Sequence, residues 1–63
     1  MGAPEEREVY FEFITLGATV KVSAIDALTA VEVSVVAPAG AAQADLRRLA
    51  LQKLRARLAD LGE

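Results

Sequence analysis

The stretch VYFEFITLGATVKVSA, Val9 to Ala24, decides the fold. Val9, Phe11 and Phe13 alternate with Tyr10, Glu12 and Ile14, and a period of two in β-branched and aromatic residues is the signature of a strand. Leu16-Gly17 interrupts it. From Ala18 the alternation resumes, with Val20, Val22 and Ala24 on one side and Thr19, Lys21 and Ser23 on the other. Two strands joined this closely form an antiparallel hairpin. If Leu16 and Gly17 are its two-residue loop, Phe13 faces Val20, Phe11 faces Val22 and Glu12 lies opposite Lys21. A slip of one residue would set the phenylalanines against Thr19 and Lys21, so the apolar faces select the parity of the register.

Working outward, Asp26-Ala27-Leu28-Thr29 breaks the pattern, and an aspartate there can hold a turn by accepting backbone N–H bonds. Val31, Val33 and Val35 alternate with Glu32 and Ser34 as a third strand, which Pro38 and Gly40 end. Pairing Ala24 with Val31, Val22 with Val33 and Val20 with Val35 keeps one apolar face continuous. From about residue 41 to 61 there is no β-branched residue, and Ala, Leu, Arg, Gln, Lys and Asp favour helix. Leu46, Ala50, Leu51, Leu54, Leu58 and Leu61 fall within an arc of roughly 140° on a helical wheel, wide enough to cover one face of a small sheet. Asp45 near the start and Arg55 and Arg57 near the end suit the helix dipole, and Gly62 is a terminator. No Ser, Thr, Asp or Asn caps the start. The expected fold is therefore α+β: a three-stranded antiparallel β-meander followed by one C-terminal amphipathic α-helix packed on one sheet face, βββα. It forms a single domain over residues 8–62 after a flexible N-terminus, residues 1–7.

A chain of 63 residues buries only about 60% of the surface its unfolded form exposes, so its stability is marginal unless something adds to it. Disulfides and the usual zinc or haem ligands are excluded, since there is no cysteine and no histidine. That leaves a second subunit. No run approaches the length of a membrane span, and the acidic start is unlike a signal peptide, so a cytoplasmic location is expected. The formal charge of −2 hides an asymmetry. Residues 1–36 carry two cations against six carboxylates, whereas residues 37–63 carry five cations against three.

Catalytic candidates are few. Ser23 and Ser34 lie within strands, and no histidine is present to activate them. Glu8, Glu12 and Glu32 are explained by a solvated strand face, and the four glycines stand singly rather than in a phosphate-binding loop. The expectation is a chain without enzymatic activity, cofactor or metal. Two surfaces remain. Strand 1 is apolar on both faces, and one helix covers only one of them. An edge or a sheet face carrying Tyr10, Ile14, Ile25 and Val36 is thus a candidate interface for a second copy or another protein. The helix offers a basic surface of Arg48, Lys53 and Arg55 that would suit nucleic acid, against which stand the acidic balance and the lack of aromatics on that segment to stack bases. Arg47, amid the leucines, must either snorkel past the sheet edge or meet a carboxylate such as Glu12 or Glu32.

The run Arg7-Glu8-Val9-Tyr10-Phe11-Glu12-Phe13, followed by Gly17, by Val20-Lys21-Val22-Ser23-Ala24-Ile25-Asp26 and by Glu32-Val33-Ser34-Val35-Val36, resembles a family of small alphaproteobacterial domains of unknown function. The likeness spans roughly residues 7 to 58. Some of its members carry a label borrowed from serine hydroxymethyltransferase. The lysines here are Lys21 on a strand and Lys53 on the helix, and one small domain cannot supply the pyridoxal phosphate site of that enzyme. The resemblance implies a bacterial cytoplasmic setting and no assigned activity.

Overall fold

A computed structural model describes residues 7–63. Three strands, β1 (Val9–Leu16), β2 (Thr19–Asp26) and β3 (Glu32–Pro38), are followed by one helix, α1 (Gln43–Asp60). The sheet is antiparallel with β2 in the centre, so β1 and β3 are both edges. This is the βββα arrangement that the alternation of apolar residues dictates.

Both hairpins are shifted by two residues from the simplest sequence pairing. Leu16 pairs with Thr19, so Phe13 lies opposite Val22, Phe11 opposite Ala24 and Glu12 opposite Ser23, not Lys21. The reason lies in the turn. Its central residues are Gly17 and Ala18, and Gly17 has φ +60°. A hairpin turn with positive φ at its first central position needs glycine there, which a Leu16-Gly17 loop would not provide. In the second hairpin Ala24 pairs with Val33, Val22 with Val35 and Val20 with Ala37. Here the connection is lengthened by Asp26, whose Oδ2 accepts bonds from the Thr29 backbone N–H (3.0 Å) and hydroxyl (2.7 Å). Ala30, at φ 63°, completes the reversal. A two-residue shift preserves every side chain's face, so the apolar pattern holds even though its pairings change.

Val20, Val22 and Ala24 of β2 and Leu46, Ala50, Leu54 and Leu58 of α1 form the buried core. The helix lies over β2 and β3. A helix about 10 Å wide covers two strands spaced about 4.8 Å apart, not three. Val9, Phe11 and Phe13 on β1 are accordingly only half-buried. The helix starts at Ala42 without a side-chain cap and ends in a Schellman motif. In it, Gly62 at φ 78° donates to Ala59 O, and Glu63 N–H donates to Leu58 O.

Residues 1–6 of the expected flexible N-terminus lie outside the described residues; at Arg7, the last residue of that segment, the Nε donates to Asp26 Oδ1 at 2.8 Å. A carboxylate at the end of the central strand supplies the partner that holds it.

Candidate interaction surface

Three backbone bonds beyond the ladders determine which way each edge faces. Ala27 N–H donates to Glu8 O. Bonded positions alternate along an antiparallel pair, so the even residues of β1 bond to β2, while Val9, Phe11, Phe13 and Thr15 direct their N–H and C=O groups outward. On the other edge, Asp26 N–H donates to Val31 O and Ala39 N–H to Ala18 O. There the odd residues of β3 bond inward, and Glu32, Ser34, Val36 and Pro38 face out.

The two edges differ. At β3, Lys53 Nζ reaches from the helix to donate to Ser34 O at 2.7 Å, and Pro38 has no N–H to offer. Charge and proline are the usual means by which sheets blunt an edge. Strand β1 is eight residues long and contains no proline, and among the described residues no side chain bonds to its outward groups. It is the open edge.

All four candidate interface residues, Tyr10, Ile14, Ile25 and Val36, lie on the sheet face opposite the helix, as their parity in the strands requires. They do not form one patch. Tyr10, 54% exposed, pairs with Ile25, while Ile14 and Val36, 68% exposed, flank Lys21 in another cross-strand row. Between these rows runs a polar one, Glu12, Ser23 and Ser34, in which the two serine hydroxyls are 3.3 Å apart. Apolar surface on this face is thus richest along β1, where Tyr10, Ile14 and Leu16 follow one another at 54%, 37% and 63% exposure.

The basic candidates are dispersed. Arg48 Nη2 donates to Asp45 Oδ1 at 2.9 Å, one helical turn back, whereas Lys53 is committed to the β3 edge. Arg55 lies toward β1. It and Arg7 border a groove of about 200 Å³ with walls from Val9, Phe11, Leu51, Leu54 and Leu58. Arg47 meets neither Glu12 nor Glu32. Its guanidinium lies 5.9 Å from the Phe11 ring centroid and 5.7 Å from that of Phe13, a cation–π cover over the part of β1 that the helix leaves bare.

A buried polar cluster escaped sequence reading. Asp26 is fully buried, and its carboxyl is held below the ordinary value of 3.8, first by the bond from Arg7 and then by that from the Thr29 hydroxyl. Arg7 also stands 3.7 Å from Glu63 Oε1 at the helix end. The cluster thereby ties the start of β1, the second hairpin and the C-terminus of α1 together. The only signal in the sequence was an aspartate closing a strand, which fits an ordinary turn equally well.

Among the described residues, no group of three or more His, Cys, Asp or Glu is placed to hold a metal ion, and no helix is long and apolar enough to cross a membrane. Residues 6–61 match the family described as Domain of unknown function (DUF6898). The chain belongs to that family. Neither a curated protein nor a solved structure matches it. The matched residues span all four elements, from β1 to α1.

Proposed function

We propose that this chain is a noncatalytic protein–protein interaction module that self-associates as a homodimer, in the bacterial cytoplasm. The observation that carries the reading is the asymmetry of the edges: β3 is blunted by Lys53 and Pro38, while among the described residues β1 is open, and it is apolar on both faces. Pairing β1 with a second strand would satisfy its outward backbone groups and add buried surface to a 63-residue domain. The cysteine-free composition and acidic balance support the cytoplasmic setting.

Size-exclusion chromatography with light scattering over a dilution series tests the proposal. The expected result is a mass near 13 kDa, twice the 6.7 kDa of one chain, shifting toward one chain on dilution. Ile14→Lys should move the transition to higher protein concentration. A mass of one chain at every concentration would remove the basis of the reading.

A further inference from the structure

We infer that two copies join antiparallel through β1 in one register, with Glu12 of each chain meeting its counterpart on the two-fold axis. This rests on the self-association reading and goes beyond it by naming the surface, the partner strand and the residue pairs.

Elimination among the possible registers selects this one. Outward backbone groups belong to Val9, Phe11, Phe13 and Thr15, so a partner strand bonds to β1 only when odd residues stand opposite odd ones. Four such registers pair five or more of the eight strand residues, and they place Phe11, Glu12, Phe13 or Ile14 on the axis. With Ile14 there, Glu12 faces the partner's Leu16, and Phe11 runs into the partner's hairpin turn at Gly17. With Phe11 there, Tyr10 faces the partner's Glu12, and Ile14 faces the partner's Glu8. With Phe13 there, Glu12 faces the partner's Ile14, and Val9 runs into the partner's hairpin turn at Gly17. With Glu12 there, Phe11 faces the partner's Phe13, Tyr10 faces the partner's Ile14, and Val9 faces the partner's Thr15, each twice by symmetry.

The Glu12 register sets the most aromatic and β-branched residues against one another, on both faces of the seam and with no strand residue carried into the partner's turn, and such pairs most stabilise neighbouring strands. Its cost is one pair of like charges. Both carboxylates lie on the exposed face, where salt screens them, and Lys21 is the nearest cation on that face, two positions from the residue opposite Glu12. An axis perpendicular to the sheet keeps both helices on one side. The product is a six-stranded sheet in the order β3-β2-β1-β1-β2-β3.

The chain contains no cysteine, so introduced thiols report the register without interference. Even-numbered positions in this seam are non-hydrogen-bonded pairs with Cα atoms about 4.5 Å apart, close enough for a disulfide. Tyr10, Glu12 and Ile14 are all exposed, so cysteine at each leaves the core intact. Expected are a covalent dimer from Glu12→Cys alone and a cross-linked heterodimer from a mixture of Tyr10→Cys with Ile14→Cys, both lost when Thr15→Pro is added. Cross-linking of Tyr10→Cys to Glu12→Cys would place Phe11 on the axis, of Glu12→Cys to Ile14→Cys would place Phe13 there, and a covalent dimer from Ile14→Cys alone would place Ile14 there; any of these overturns the register. A dimer by light scattering that forms none of these bonds overturns the β1 seam while leaving self-association standing. A monomer overturns both.

Discussion

Proline substitution along β1 separates the inner from the outer side of the strand. Thr15 directs its N–H outward and is exposed, so Thr15→Pro removes no bond of the β1–β2 ladder. Ile14, one residue earlier, is bonded opposite Lys21. Ile14→Pro deletes its N–H, leaves the Lys21 carbonyl without its donor and forces the ring into the ladder. One lost backbone bond costs about 1 kcal/mol, and stranding its acceptor adds about 1–2 kcal/mol more. A domain of 63 residues at about 0.05–0.15 kcal/mol per residue holds only about 3–9 kcal/mol in total. Ile14→Pro should therefore remove about a fifth or more of that stability, while Thr15→Pro should change it by less than about 1 kcal/mol. Urea unfolding followed by circular dichroism, at protein concentrations below the dimer transition, measures both. In light scattering Thr15→Pro should be a folded monomer, because the ring blocks a partner strand. Equal destabilisation by the two prolines would show that Thr15 N–H is used within the fold and would refute the assignment of the open edge.

Other outcomes test the core and the turns. Leu54 is fully buried at the centre of the helix face, so Leu54→Ala should cost about 3–5 kcal/mol in urea unfolding, enough to populate the unfolded state without denaturant. Gly17→Ala places a side chain at φ +60° and should cost about 1–2 kcal/mol with no steric clash, whereas Ala30→Gly, at φ 63°, should recover up to about 1 kcal/mol in the same assay. Asp26 has a lowered pKa, so its contribution is complete above the ordinary value of 3.8 and is lost as pH falls through the lowered one. Asp26→Asn should reduce the urea midpoint at neutral pH and flatten the acid side of its pH profile; an unchanged profile would exclude Asp26 as a source of acid sensitivity.

What the sequence disclosed follows from range. Strand faces and the helix were legible because alternation in Val9–Phe13 and Val20–Ala24 and the leucine spacing from Leu46 to Leu58 are local signals. Register was legible only in parity: apolar patterning distinguishes odd from even slips, whereas a shift of two turns on which side of Leu16 the turn begins, and the φ of Gly17 decides that. Contacts between distant segments were not legible. Arg47 over Phe11 and Phe13, Arg7 on Asp26 and Lys53 on Ser34 join residues 19 to 36 positions apart, and each depends on where the helix lands across the sheet. The candidate interface residues lay on the expected face. Their division by the row of Glu12, Ser23 and Ser34 became visible only with the register.

The ammonium of Lys53 on Ser34 O has a consequence for how large an assembly can become. A β-domain with two free edges is a monomer unit for polymerisation: each addition leaves another free end, and nothing sets a final number. With one edge blunted, the proposed pairing would consume the open edge of each chain and leave the two blunted ones outermost. In the proposed dimer Lys53 and Pro38 would thus act as chain terminators, and a stoichiometry of two would be set at the strand farthest from the seam.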